Sequence, residues 1–145
     1  MPNWCKDFLR VSGPEVDMAR FLNQAAPADP GRETQTAPPP EAFSFQRLVP
    51  LRAAGGTATD GQGSSPQEQW GCRGDALHAE FEETRNGAAL YRFATSWNPP
   101  MAFLRQVSAL WPTLVFVLDY SEPMMDFYGT ARAQDGRLIH FHFEL

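Results

Sequence analysis

The stretch that decides the fold spans residues 97–129 and reads WNPPMAFLRQVSALWPTLVFVLDYSEPMMDFYG. The two prolines after Asn98 cannot pair within a sheet but suit the first turn of a helix, so Asn98 is the predicted N-cap. Apolar residues then recur at helical spacing until Pro112 ends the pattern. The run at 114–118 is continuously apolar, which is typical of a buried central strand. The stretch therefore predicts a helix followed by a strand.

Two hairpins flank and follow this unit. Asn86-Gly87 and Asp135-Gly136 are strong signals for two-residue turns, because both residues of each pair tolerate positive φ. The turns predict strand pairs at 76–83 with 88–97 and at 127–133 with 137–143. A strand at 5–11 and a helix at 14–26 precede them. The predicted fold is α+β and ferredoxin-like in outline, with a mostly antiparallel sheet and two helices on one face.

The chain has 145 residues, which is the usual size of one domain, and we expect a single domain over 1–145. Proline-rich sequence at about 26–42 and Gly/Ser/Thr-rich sequence at about 53–69 predict two long flexible insertions. The apolar segment 43–51 between them is expected to return to the core and anchor there.

Composition limits the function. The net charge is −5, the pI is about 5.1, and Lys6 is the only lysine, which disfavours general nucleic-acid binding. The two cysteines are too few for a disulfide scaffold. Neither a membrane-length apolar run nor a signal-peptide core is present, so a cytoplasmic protein that does not contact membranes is expected.

Several landmarks resemble one known family. They are the N-terminal MPNWC, FSF at 43–45, WGCRGDA at 70–76, FATSWNPP at 93–100, and YSEP at 120–123 followed by FYG. Together they resemble the YubB ferredoxin-like family of plasmid- and phage-borne bacterial proteins. The family usually has Asn where this chain has Asp7. The resemblance implies the fold and an origin on a mobile genetic element, and it provides no catalytic residue.

The chain contains histidine and cysteine, which are common metal ligands, but their spacing in the sequence is unfavourable for a zinc site. Cys5 and Cys72 are far apart, whereas His140 and His142 are two apart on one predicted strand face and could share a metal. The preferred interpretation places both histidines on a solvent-facing side, alternating with core residues at 139, 141 and 143. Cys72 with His78 lacks a recognisable nucleophile motif. No metal site, cofactor or catalytic residue is predicted.

The candidate binding residues are Asp119, Tyr120, Glu122, Trp97 and Trp70. The first three remain unexplained after the prolines and apolar residues of 97–129 receive structural roles. Asp119 ends the apolar strand, and its ordinary role would be to accept hydrogen bonds from amides of the following turn. The tryptophans, together with Tyr120 and Tyr128, are expected mainly to pack in the core. An aromatic surface that stacks on bases is the alternative.

These patterns favour a non-enzymatic protein-interaction protein of a bacterial mobile element. An anti-defence role, such as inhibition of a host nuclease or CRISPR complex, is one concrete version. A nucleic-acid-binding module that uses the open sheet face is the second hypothesis, and an enzyme with a hidden carboxylate or Cys/His site is the third. A protein is the expected partner, and the sequence leaves the oligomeric state open.

Overall fold

The computed structural model describes residues 3–26, 43–51 and 65–144. Over these residues the chain forms six strands, β1 (Trp4–Ser12), β2 (Leu77–Arg85), β3 (Ala88–Ser96), β4 (Val115–Glu122), β5 (Phe127–Gln134) and β6 (Arg137–Glu144). The helices of the same residues are α1 (Glu15–Ala25), α2 (Phe45–Leu48), α3 (Pro66–Gln69) and α4 (Met101–Leu110). None of these helices has the length and apolar character needed to cross a membrane.

One six-stranded sheet has the order β2-β3-β1-β4-β5-β6, and every neighbouring pair is antiparallel. β1 and β4 occupy the centre, as the continuous apolar run in β4 predicted. The first four strands of this order, with a helix after β1 and another after β3, have the ferredoxin-like arrangement. β5 and β6 extend the sheet beyond β4. The predicted ferredoxin-like, antiparallel fold is confirmed.

The helix count differs from the prediction of two. α2 and α3 are additional single-turn helices, each with a serine hydroxyl that accepts a hydrogen bond from a backbone N–H of its first turn. α3 occupies positions assigned to the second insertion. The N-cap of α4 is Pro100 rather than Asn98, and no side chain caps it. Most of the predicted insertions, 27–42 and 52–64, lies outside the described residues.

The core lies between the sheet and its helices. In β1, alternation buries Leu9 and Val11 on the helix-side face and exposes the residues between them. Phe21 of α1 makes edge-to-face contacts with Phe116, and Phe43 stacks on Phe93 with ring centroids 5.3 Å apart. The apolar segment 43–51 therefore anchors in the core, as its sequence predicted.

Asp75 fixes this anchor to the sheet. Its carboxylate accepts hydrogen bonds from the backbone N–H of Phe45 (2.6 Å) and of Gln46 (3.1 Å), and from the Ser44 hydroxyl (2.8 Å). Asp75 lies two residues before the start of β2, so one carboxylate connects two segments that are thirty residues apart in the chain. Charge-assisted bonds of this kind are the stronger class of hydrogen bond.

The two predicted hairpin turns are confirmed. Asn86 and Gly87 have φ values of 52° and 79°, and Asp135 and Gly136 have 51° and 78°. The second turn places Gln134 opposite Arg137 and thereby sets the register of β6 along β5. β2 contains irregularities between Leu77 and Glu80 and between Phe81 and Glu83, so the simple alternation predicted for β2 is wrong.

Gly129 of β5 lies between Tyr120 of β4 and His142 of β6, with no room for a side chain. A Cβ atom there would overlap the Tyr120 hydroxyl and the Phe141 carbonyl oxygen. We expect Gly129→Ala to lower the free energy of unfolding by about 1–3 kcal/mol, because overpacking forces neighbouring groups apart. Urea unfolding followed by circular dichroism measures the change.

Gly74→Ala is the matched control, since a Cβ atom at Gly74 would have no neighbour within 4 Å among the described residues. Equal stability of Gly129→Ala and the wild type would contradict the close approach.

Candidate functional site

Strand alternation divides the predicted cluster of Asp119, Tyr120 and Glu122 between two faces of the sheet. Asp119 is exposed on the face without helices, opposite Phe8. Tyr120 and Glu122 are buried on the helix-side face, with 3% and 1% of their surface exposed. Glu122, rather than Asp119, accepts a hydrogen bond from a turn amide, the backbone N–H of Met125. These residues therefore do not form one site.

The two predicted tryptophans have different environments. Trp70 is buried, and its indole Nε1 donates a 2.8 Å hydrogen bond to the Val49 carbonyl, so it packs in the core as expected. Trp97 is half-buried at φ 67°, with the Arg73 guanidinium 5.9 Å from the ring centroid. In contrast, Trp4 and Tyr128 are exposed at 38% and 45%, so the expectation of core packing was wrong for both.

The face opposite the helices carries a second set of aromatic residues. We define the open face by three rows of residues that lie side by side across neighbouring strands. The rows are Lys6, Ser121, Tyr128 and Phe143; then Arg92, Phe8, Asp119, Thr130 and Phe141; and then Leu90, Arg10, Val117, Arg132 and Ile139. Each row combines at least one cation with at least one large apolar side chain.

Two shallow concavities lie on the open face. The larger, of about 650 Å³, is lined by residues that include Lys6, Phe8, Tyr128 and Phe143. The smaller, of about 290 Å³, adjoins it at Phe8. Tyr128 stacks on Phe143 with ring centroids 5.2 Å apart, so the aromatic rings form a connected surface rather than isolated side chains.

The histidine pair lies on the face opposite to the one expected. His140 and His142 point to the helix side, whereas Ile139, Phe141 and Phe143 lie on the open face. The reason is register, because β6 pairs with β5 so that Ala131 opposes His140 and Gly129 opposes His142. The small residues of β5 leave room for the imidazole rings.

Tyr120 connects the two histidines. Its hydroxyl is 2.5 Å from His140 Nε2 and 2.7 Å from His142 Nδ1. Burial raises the pKa of Tyr120 to about 12. Burial and the neighbouring His142 lower the pKa of His140. Both effects favour the neutral forms of these side chains.

Asp7 is a buried carboxyl at the centre of the sheet. It is 1% exposed. Burial raises its pKa well above 3.8, and this effect exceeds the lowering of the pKa by hydrogen bonds with Thr95 and Cys5. The Thr95 hydroxyl lies 2.7 Å from Asp7 Oδ2 and 2.8 Å from the Asn98 carbonyl oxygen. One hydroxyl proton cannot serve both acceptors. A protonated Asp7 resolves this conflict by donating to Thr95, which then donates to Asn98.

The cysteines do not form a reactive pair. Burial raises the pKa of Cys5, and it raises that of Cys72 to about 12, so both thiols stay protonated. Cys72 Sγ is 3.3 Å from the Gly74 carbonyl oxygen. Within 3–26, 43–51 and 65–144, no three His, Cys, Asp or Glu side chains converge on a point.

The sheet order, the two crossing helices and the exposed sheet face define a ferredoxin-like α+β protein. Residues 76–144 match the family model described as the ferredoxin-like domain in Api92-like protein. The chain is also similar to the crystal structure of protein api92 from Yersinia pseudotuberculosis. That alignment covers 100% of this chain and 99% of the other, with a TM-score of 0.60 and 10% sequence identity. Such a likeness shows the fold alone. No curated protein sequence matches, and membership of the YubB family stays a prediction.

The Asp7 environment makes a stability prediction. Because the pKa of Asp7 is raised on folding, the wild type loses stability as the pH rises above about 3.8 and through the folded pKa. Asn can donate to Thr95 as the protonated acid does, so Asp7→Asn should be more stable than the wild type at pH 7. A stability increase of about 1 kcal/mol raises the thermal midpoint by about 4 °C in a domain of this size.

Thermal unfolding at pH 4, 5, 6 and 7 measures the difference between the two proteins, which should widen with pH. Asp119→Asn is the control for the loss of one carboxylate, because it makes the same substitution at an exposed position. A wild type more stable than Asp7→Asn at pH 7 would rule out a protonated Asp7.

Proposed function

We propose that this chain is a non-enzymatic binding protein that docks a protein partner on its open face. The observation that carries the proposal is the set of large, exposed apolar side chains that follow one another along β6. Ile139, Phe141 and Phe143 are exposed by 59%, 57% and 46%. Single exposed apolar residues are normal, but a contiguous set is typical of an interaction surface.

The composition of the open face suits a protein interface. Aromatic residues and arginine are enriched in such interfaces, and lysine, aspartate and glutamate are depleted. The three rows hold Phe8, Tyr128 and two further phenylalanines, with three arginines, one lysine and one carboxylate. β6 is also an edge strand, and its backbone is available for additional pairing along the side away from β5.

Charge indicates the chemistry of the partner. The three rows carry four cations and one carboxylate, Asp119, and on the adjoining strand β2 Glu80 lies opposite Arg92 while Glu82 pairs with it. Two copies facing each other would bring like charges together, which disfavours a symmetric dimer through this face. The partner that fits best is a different protein whose apolar patch is bordered by carboxylates.

The YubB resemblance supports a narrower version of this proposal. An accessory protein of a mobile element that occupies a surface of a host nuclease or CRISPR complex would need a binding face and no catalytic centre. The resemblance is the only support for that version, and the open face supports the broader one.

A paired-variant experiment tests the proposal. The wild type and the Phe141→Ala/Phe143→Ala variant are each immobilised on resin and incubated with lysate of the bacterial host. The captured proteins are crosslinked to the immobilised protein and quantified. We expect a partner at near-native stoichiometry whose crosslinks map to the open face, and at least about a tenfold loss of affinity in the double variant, as for residues that dominate an interface.

Val16→Ala/Leu110→Ala is the matched control, because these apolar residues are exposed on the helices. It should retain the partner. Equal capture by all three proteins, or crosslinks confined to the helix side, would contradict the proposal.

The interleaved cations support a second candidate function, binding of single-stranded nucleic acid. Phe8, Tyr128 and Phe143 provide ring faces for bases, and Lys6, Arg10 and Arg132 lie beside them. This combination of aromatic platform and basic groove is typical of sequence-tolerant strand binding. The overall charge of −5 opposes it.

Fluorescence anisotropy with labelled 12-nucleotide DNA and RNA strands tests this candidate. If this candidate is correct, Arg10→Ala/Arg132→Ala should weaken binding. The slope of log K against log salt concentration should also become shallower by about 0.7 for each phosphate that the variant no longer neutralises. Arg20→Ala/Arg105→Ala, on exposed helix positions, should have little effect. Absence of binding at low salt would eliminate nucleic acid as the ligand.

A further inference from the structure

Three side chains on the helix-side face of β4 and β6 converge on one point. The Tyr120 hydroxyl is 2.5 Å from His140 Nε2 and 2.7 Å from His142 Nδ1, so two imidazole nitrogens face a common centre. Residues two apart on a strand share a face, which is how a His-x-His sequence presents both rings together. The centre lies beside a cavity of about 450 Å³ that both histidines line.

The contact with Glu144 favours one arrangement of the protons. Its carboxylate Oε1 is 3.5 Å from His142 Nε2. A proton on that nitrogen faces the carboxylate and leaves His142 Nδ1 as an acceptor for the Tyr120 hydroxyl. The phenol oxygen then accepts from His140 Nε2–H. In this arrangement one lone pair, that of His142 Nδ1, already points toward the centre.

The surrounding groups match the needs of a transition-metal ion. Imidazole suits zinc, copper and nickel, and of these divalent ions Cu²⁺ binds a given set of nitrogen and oxygen ligands most tightly. A cavity that both histidines line adjoins the imidazole rings. The cavity also has room for water molecules that complete the coordination sphere.

We propose that His140 and His142, with Tyr120 between them, form a binding site for a copper ion. The ion takes His140 Nε2 and His142 Nδ1, after His140 moves its proton to Nδ1. Tyr120 contributes its oxygen as a phenolate and releases one proton to solvent, so charge and protons balance. At metal–ligand distances of about 2.0–2.1 Å, neighbouring ligand atoms of a tetragonal Cu²⁺ site lie about 2.9 Å apart. The Tyr120 oxygen must therefore separate from each imidazole nitrogen by less than about 0.5 Å, which rotation of the exposed imidazoles allows.

This site is independent of the open face, because the two lie on opposite faces of the sheet. Loss of metal binding in a histidine variant and loss of a partner in a phenylalanine variant are therefore separate outcomes.

The test uses the full chain and Cu²⁺ alone. Calorimetry in a weakly competing buffer gives affinity and stoichiometry, and electron paramagnetic resonance counts the coordinated nitrogens. We expect one Cu²⁺ with two imidazole nitrogens in the wild type. His140→Gln and His142→Gln should each weaken binding at least about tenfold, in the range that ligand-shell changes cause. Zn²⁺ should bind more weakly than Cu²⁺, and Mg²⁺ should not bind.

His78→Gln is the matched control, since His78 is the one histidine of the chain besides His140 and His142. It should bind Cu²⁺ as the wild type does, and Tyr120→Phe should bind more weakly without the proton release. Circular dichroism establishes that each variant is folded. If one histidine variant fails to fold, the Cu²⁺ affinity of the other histidine variant tests the proposal. Equal Cu²⁺ affinity in wild type and histidine variants, or a spectrum without two imidazoles, would overturn the proposal.

Discussion

The close approach of Tyr120 to Gly129 is the constraint on which the second half of the sheet depends. A side chain at Gly129 would occupy the position of the Tyr120 hydroxyl. Its absence lets the phenol extend across β5 as far as the two histidines of β6. A slip of one residue in β6 would exchange all its side chains between faces. The turn at Asp135-Gly136 sets this register, and the space at Gly129 lets the phenol reach the imidazoles that the register places on the helix side.

The two faces of the sheet place their side chains in different environments. On the helix side, polar groups such as Asp7 are buried and must find partners or stay neutral, and Thr95 and the raised pKa of Asp7 provide both. On the open face, no such requirement applies, and apolar residues remain beside cations in contact with solvent. We therefore propose the open face as the surface for a protein partner, and the cluster of Tyr120, His140 and His142 on the helix side as the metal site.

Much of the fold could be predicted from local patterns. The hairpin turns, the central strand and the helix before it follow from turn chemistry and apolar periodicity. The short helices α2 and α3 were not predictable in this way, because each depends on a single capping serine and on contacts to distant segments. The cap of α4 was misplaced by two residues, since two consecutive prolines suit several positions near a helix start.

The candidate site was harder to predict. Asp119 and Tyr120 are neighbours in sequence but lie on opposite faces, so a cluster in the chain is not a cluster in space. For β6, the sequence did contain the decisive signal. A two-residue turn at Asp135-Gly136 pairs Gln134 with Arg137, which puts Ile139 beside the exposed Arg132. Hydrophobicity alone assigned Ile139 to the core and led to the wrong face.

The sequence by itself therefore determined the order and type of the main elements, because turn residues and apolar spacing act within a few residues. The tertiary structure alone decided which side chains meet. The convergence of Tyr120 with His140 and His142 spans more than twenty positions and three strands. It depends on strand register and on the space left by Gly129, which are properties of paired strands and not of any single segment.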